Sequence, residues 1–158
     1  MSKVLVVYYS RTGNTEMMAR EVAKGVEDEG VEVLLKKVEE TTPEDFLDAE
    51  GIIIGSPTYF GLPSQKIVKL LDESVKYYGK LEGKVGGAFS TSGILGGGNE
   101  TTVMGIIQML LIHGMVIQGT TKGAHYGAVS IGKPGKGELE VARELGKRVA
   151  SLVKKLFG

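Results

Sequence analysis

The chain has 158 residues, 42% of them hydrophobic, enough for one domain with a full core and too few for two. Lysine plus arginine equals aspartate plus glutamate at 19 each, so no strong charge field draws the protein toward nucleic acid or an anionic membrane. Cysteine is absent, which excludes disulfides, thiolate catalysis and cysteine-held metal. No run of about 18 uncharged apolar residues marks a membrane span, and no charged and then apolar segment opens the chain. A cytoplasmic protein made of a single domain, residues 1–158, is the expectation.

Lys3 to Tyr8 is a short, β-branched apolar run of the kind that forms a central parallel strand covered on both faces. Beyond a short loop, Met18, Ala19, Val22, Ala23 and Val26 recur at helical spacing, predicting a helix from about Thr15 to near Gly30. Ser10, Arg11, Thr12, Gly13, Asn14 and Thr15 lie between the two. A strand, a hydroxyl-rich turn and a helix start leave backbone N–H groups unpaired, and such a turn favours an anion. Arg11 is the only formal charge in it, and there is neither a GxxxxGK[ST] lysine nor an obvious magnesium ligand, so a held monophosphate fits better than a hydrolysed triphosphate. The plainer alternative is that Asn14 or Thr15 only caps the helix.

Val31 to Val38 predicts a second strand, its lysines suiting an edge. Thr42-Pro43-Glu44-Asp45 has the cap, proline and acids of a short helix start. Gly51 to Gly55 is a third strand, followed by a loop from Ser56 to Pro63 that looks too rich in proline and glycine to be regular. A helix with Ile67, Leu70, Leu71 and Val75 inward ends near Gly79, and Lys84 to Ser90 is a fourth strand. A third loop, Thr91 to Asn99, leads to a helix capped by Asn99 or Thr101. Met115 to Gln118 is the fifth strand, Gly119 to Pro134 is irregular, and Val141, Leu145, Val149, Leu152 and Leu156 space a closing helix.

Strands alternating with helices imply a doubly wound α/β fold, a five-stranded parallel sheet of order 2-1-3-4-5 with helices on both faces. Ligands of such sheets lie outside the carboxyl ends of the strands at the switch point, an arrangement for which flavodoxin and its FMN are a reference case. The three unusual loops follow the first, third and fourth strands and therefore meet on one rim. The first suits a phosphate, the second brings two aromatics, and the third is a ribbon of glycines, so the ligand has an anionic end and a flat end. Flavin mononucleotide fits both, its ring between the aromatic and glycine loops.

Beyond the phosphate loop, Gly55-Ser56-Pro57-Thr58-Tyr59-Phe60-Gly61, Phe89-Ser90-Thr91-Ser92-Gly93 with Gly96-Gly97-Gly98-Asn99-Glu100-Thr101-Thr102, and His113-Gly114-Met115-Val116 resemble the tryptophan-repressor-binding-protein (WrbA) type of NAD(P)H:quinone oxidoreductase. Tyr126-Gly127-Ala128 continues the likeness, which covers nearly the whole chain. It implies a flavodoxin-like fold with FMN held by Ser10 to Thr15, by Thr58, Tyr59, Phe60 and Gly61, by Ser92, Gly93, Ile94, Leu95, Gly96, Gly97 and Gly98, and by His113. It also implies transfer of electrons from NAD(P)H to a quinone. The chain is shorter than that family usually is, has Tyr59 where arginine is common, and has Thr12 where members present an aromatic.

His113 and Gly114 close the fourth helix, where the helix dipole favours a histidine; the resemblance makes His113 a flavin or substrate neighbour, with His125 a weaker candidate. Along residues 101–112 apolar side chains surround the axis with only Gly105 and Gln108 interrupting, whereas an outer helix of a monomer has a polar face. A homodimer or homotetramer through this helix, completing the site over the flavin, is the expectation. The competing function is a flavodoxin-type electron carrier with no substrate of its own. A phospho-acceptor domain is disfavoured because Tyr8-Tyr9-Ser10 lacks the carboxylates that magnesium needs.

Overall fold

The computed structural model describes residues 1–158. The first strand, β1 (Lys3–Tyr8), lies between β2 (Glu32–Lys37) and β3 (Gly51–Tyr59), parallel to both. On the far side of β3 runs β5 (Val85–Ser92), also parallel. The path through the sheet is β2-β1-β3-β5-β6, with β6 at Val116–Ile117, the doubly wound flavodoxin order.

Helices cover both faces. One core joins α1 (Asn14–Asp28) and α4 (Lys136–Phe157) to Val4, Val6, Ile53 and Phe89 of the sheet. The other joins α2 (Gln65–Glu73) and α3 (Asn99–Ile112) to Leu5, Val7, Ile52 and Ile54. Alternate residues of β1 and β3 thus serve opposite layers, which is why these strands read as unbroken apolar runs. A β-carbon on Gly25 would lie 2.0 Å from the Arg143 carbonyl oxygen, and one on Gly146 the same distance from that of Val22, so the two glycines allow α1 and α4 to touch backbone to backbone.

Several sequence expectations change. The fifth place in the sheet is filled by two pieces: β6 (Val116–Ile117) pairs with the start of β5 and β7 (Ala128–Ile131) with its end. Residues 118–127 leave the sheet between them. The strand expected at Met115 to Gln118 is therefore shorter, and the segment expected to be irregular contains β7. The helix expected at Thr42 is a 3-10 turn, Pro43–Phe46, closed by a capping box between Thr42 and Asp45. Ser56 to Tyr59, expected to be a loop, continues β3, which turns back through β4 (Leu62–Pro63) as a short antiparallel pair. The segment earns its extended form from sheet pairing as far as Pro57 opposite Thr91.

Candidate functional site

The carboxyl ends of the parallel strands and the N-termini of α1, α2, α3 and α4 share one rim. The first loop enters α1 through Gly13, whose φ of +98° is glycine territory and which, as the N-cap residue, has no side chain with which to cap that helix. The plainer alternative, a cap by Asn14 or Thr15, is not what forms: Ser10 caps from the loop, its hydroxyl oxygen accepting the N–H groups of Gly13 and Glu16, both at 3.2 Å. The N–H groups of Arg11 and Thr12 have no acceptor in the chain. Those of Asn14 and Thr15, at the start of the helix, have none either, whereas Met17 N–H donates to the Gly13 carbonyl at 3.0 Å. Glu16, the one carboxylate nearby, is matched by Arg20 at 3.0 Å and accepts the Tyr8 hydroxyl at 3.0 Å. Arg20 chiefly holds its carboxyl below the usual range, while burial and Glu16 push the Tyr8 hydroxyl up to about 12.

The three loops are bonded to one another. Thr15 and Thr91 share a buried hydroxyl contact at 2.9 Å, joining the first loop to the third. The Thr102 hydroxyl donates to that of Thr58 at 3.0 Å, and the Thr101 hydroxyl reaches the carbonyl oxygens of Gly61 (2.7 Å) and Gly98 (2.9 Å), joining the third to the second. Gly98 enters α3 at φ +99°, where a β-carbon would lie 2.8 Å from Gly61 Cα. This overturns the expected cap: Asn99 donates its side-chain amide to Ser92 at 3.0 Å instead, and Thr101 faces the second loop. The rim therefore brings together Ser10, Arg11, Thr12, Gly13, Asn14 and Thr15 with Thr58, Tyr59, Phe60 and Gly61, and with Ser92 to Gly98.

Phe60 stands fully exposed with φ +52°, a left-handed backbone that costs a side-chain-bearing residue roughly 1–2 kcal/mol. Ile94 and Leu95 are exposed on the third loop. Tyr59 leans on Tyr9, ring centroids 6.5 Å apart, and the Lys66 ammonium lies 4.8 Å from the Tyr9 ring centre. Burial first, and Tyr9 second, raise the Tyr59 hydroxyl above its ordinary value.

The groups present suit FMN. Arg11 and the unpaired N–H groups are donors of the kind a phosphate takes. Around Gly13, Gly93 and Gly96 a β-carbon would meet nothing within 4 Å, so the cradle is open where a ligand would lie. Ser130, opposite Thr91 in β7, buries a hydroxyl with no partner, a donor of the sort a sugar-alcohol chain or a water satisfies. Sequence reasoning missed Tyr9, Thr91, Thr101, Thr102 and Ser130 as parts of this site. Tyr9 adjoins the phosphate loop, and Thr91, Thr101 and Thr102 lie in the third-loop motifs, so each carried a signal; Ser130 carried none.

His113 is not brought to the rim. It follows α3, whose 14 residues carry it about 20 Å along the sheet to the opposite end. There it is buried, and its ring Nε2 lies 2.8 Å from the Ser74 hydroxyl, which itself donates to the Leu71 carbonyl at 2.5 Å. With the serine proton committed, Nε2 must donate, so Nδ1 is bare and, being buried, without a partner. Burial lowers its pKa. The expectation of a flavin neighbour fails within this subunit because a helix that starts at the rim must end away from it. His125, the weaker candidate, donates from Nδ1 to the Thr120 carbonyl at 2.8 Å in the 118–127 segment.

Fold and rim together define a doubly wound α/β protein built to hold an anionic ligand at the switch point of its sheet. The chain belongs to the flavodoxin family, whose model, described as Flavodoxin, matches residues 6–152. It is 46% identical over 162 residues to a flavodoxin of Aquifex aeolicus, covering 97% of this chain and 88% of that protein. It is also similar to an NAD(P)H dehydrogenase (quinone) of Archaeoglobus fulgidus, 35% identical over 190 positions covering 99% of this chain and all of that protein. Among solved structures, a WrbA-like flavodoxin from Agrobacterium tumefaciens superposes with a TM-score of 0.83 at 31% identity, covering 99% of both chains. The 190-position alignment exceeds this chain by more than thirty positions, so the quinone dehydrogenase carries segments that this protein lacks.

Proposed function

We propose that the protein binds FMN along the rim and works as an oxidoreductase taking electrons from NAD(P)H and passing them to a quinone or similar acceptor. The observation that carries the binding step is the interlocking of the three loops by Thr15–Thr91, Thr58–Thr102 and Thr101–Gly61, which sets the donors before any ligand arrives. Ser10 shapes the first loop, the N–H groups of Arg11 and Thr12 and the Arg11 side chain receive the phosphate, and Tyr59, Phe60, Ile94 and Leu95 flank the ring. The glycine ribbon Gly96-Gly97-Gly98 lets backbone approach the ring edge without side-chain bulk. When bound, FMN supplies the two-electron chemistry, so no protein base is required.

Resemblance to quinone dehydrogenases, the neutral charge and the apolar α3 support the enzyme. Ile112 and Leu111 are exposed at 71% and 52%, and between α2 and α3 a groove of about 590 Å³ runs past Leu62, Pro63, Val68 and Met109. Lys69 and Asp72 border the same groove and give it the polar rim that an interface between two copies has. Ile112→Glu is expected to leave a monomer by sedimentation velocity; a wild-type monomer at micromolar concentration overturns the dimer. One observation favours the carrier reading instead: the flavodoxin relative is 46% identical to this chain, against 35% for the quinone dehydrogenase. Anaerobic mixing of the FMN-loaded protein with NADH and with NADPH separates the two, since rapid bleaching of the flavin is expected of the enzyme alone. Absence of FMN uptake in a fluorescence titration overturns both.

A further inference from the structure

The segment 118–127 that interrupts the fifth sheet position stands against α4 and encloses a concavity of about 480 Å³. The segment is held in shape by its own bonds: Thr120 N–H donates to the His125 carbonyl at 3.3 Å, His125 Nδ1 returns a bond to the Thr120 carbonyl, and Lys122 N–H donates to the Thr120 hydroxyl at 3.2 Å. On the facing wall Arg148 is half-buried. Its Nε donates to the Gln118 carbonyl at 3.3 Å, its two terminal nitrogens have no partner in the chain, and no carboxylate comes within 4 Å.

A guanidinium drawn out of water and left without a counter-ion is costly, and burial lowers its pKa. No carboxylate is bonded to it, although the charge of Glu144 nearby partly offsets its burial. Glu29 is bound to Lys154 at 2.9 Å and Glu144 to Lys147 at 3.4 Å, leaving Glu140 as the free carboxylate against the free cations Lys122 and Arg148. The hydroxyls of Thr121 and Ser151 add two more unpaired donors to the lining. The lining as a whole is balanced, three carboxylates against three cations, but it presents a planar fork with both prongs open, an unpaired lysine and hydroxyls beside it, which is the chemistry that recognises a tetrahedral oxyanion.

We propose that this concavity is a second ligand site, separate from the rim, that takes a phosphate group with Arg148 as its fork and Lys122 as its mobile second cation. The phosphate has two sources, free inorganic phosphate or the 2′-phosphate of a nucleotide, and the volume admits either. The proposal does not depend on FMN.

The test is titration of the whole chain at constant ionic strength with inorganic phosphate, NADP⁺ and NAD⁺, read by amide shifts of Thr120 to Lys122 and by melting temperature. Saturable shifts with phosphate matching NADP⁺ support a free-anion site; NADP⁺ binding more tightly than phosphate and NAD⁺ supports a nucleotide site. Arg148→Gln is expected to weaken binding roughly tenfold or more. Because Arg148 also packs on Gln118, the exposed Lys122→Gln serves as a second variant, with a weakening of roughly threefold expected from loss of a flexible surface charge. No saturable shift with any of the three, or unchanged binding in both variants, overturns the site.

Discussion

The two ends of the sheet are built on opposite plans. At the rim, hydroxyls tie the loops together while backbone donors are left open; at the far end, polar groups are turned inward and used up. Lys84 shows the second plan. Its ammonium, without a carboxylate, donates to the carbonyls of Phe46, Leu47 and Ala49 at 2.9, 2.8 and 2.6 Å, and burial lowers its pKa. His113 and Ser74 close the gap between α2 and α3 in the same way. The difference teaches that unpaired donors alone do not mark a site: the rim's are numerous, backbone-borne and open to a ligand, whereas His113 Nδ1 is solitary and sealed.

The comparison is broken most sharply at the rim by Gly98→Val. A β-carbon there collides with Gly61 at a left-handed backbone, so FMN affinity is expected to fall about a hundredfold in a fluorescence titration, roughly 3 kcal/mol. At the far end Lys84→Met should leave FMN affinity unchanged and cost about 2–3 kcal/mol in urea unfolding, because three carbonyls lose a charged donor.

His113 sharpens it through pH. Its folded pKa is depressed, so the unfolded chain binds the proton more readily, and stability present above about pH 6.5 is lost as pH falls through the folded value. His113→Gln should remove that slope below about pH 6.5 in chemical denaturation, with rim binding untouched. The smallest effect belongs to the α1–α4 flank, where Arg143 holds Asp28 by a two-pronged bond at 2.7 and 2.9 Å. Asp28→Asn is expected to lower the melting temperature slightly, and less so in high salt, since the pair is exposed.

Much of this architecture was legible in the chain. The apolar runs of β1 and β3, the spacing of α1 and α4, and the hydroxyl-rich loop between β1 and α1 each announce themselves within a dozen residues, because pleat, helical period and turn chemistry are local. From their alternation the parallel sheet and its rim follow. What the sequence could not show was long-range. Thr91 reads as a loop residue until strand pairing places it beside Thr15, Gly98 displaces Asn99 as a helix start only because Gly61 presses on it, and a second piece of the fifth strand appears only when Phe89 to Ser92 offer it an edge. His113 was misplaced for a different reason: a helix that leaves the third loop at the rim must end at the other end of the sheet, so the chain order already implied its place, and the resemblance outweighed it.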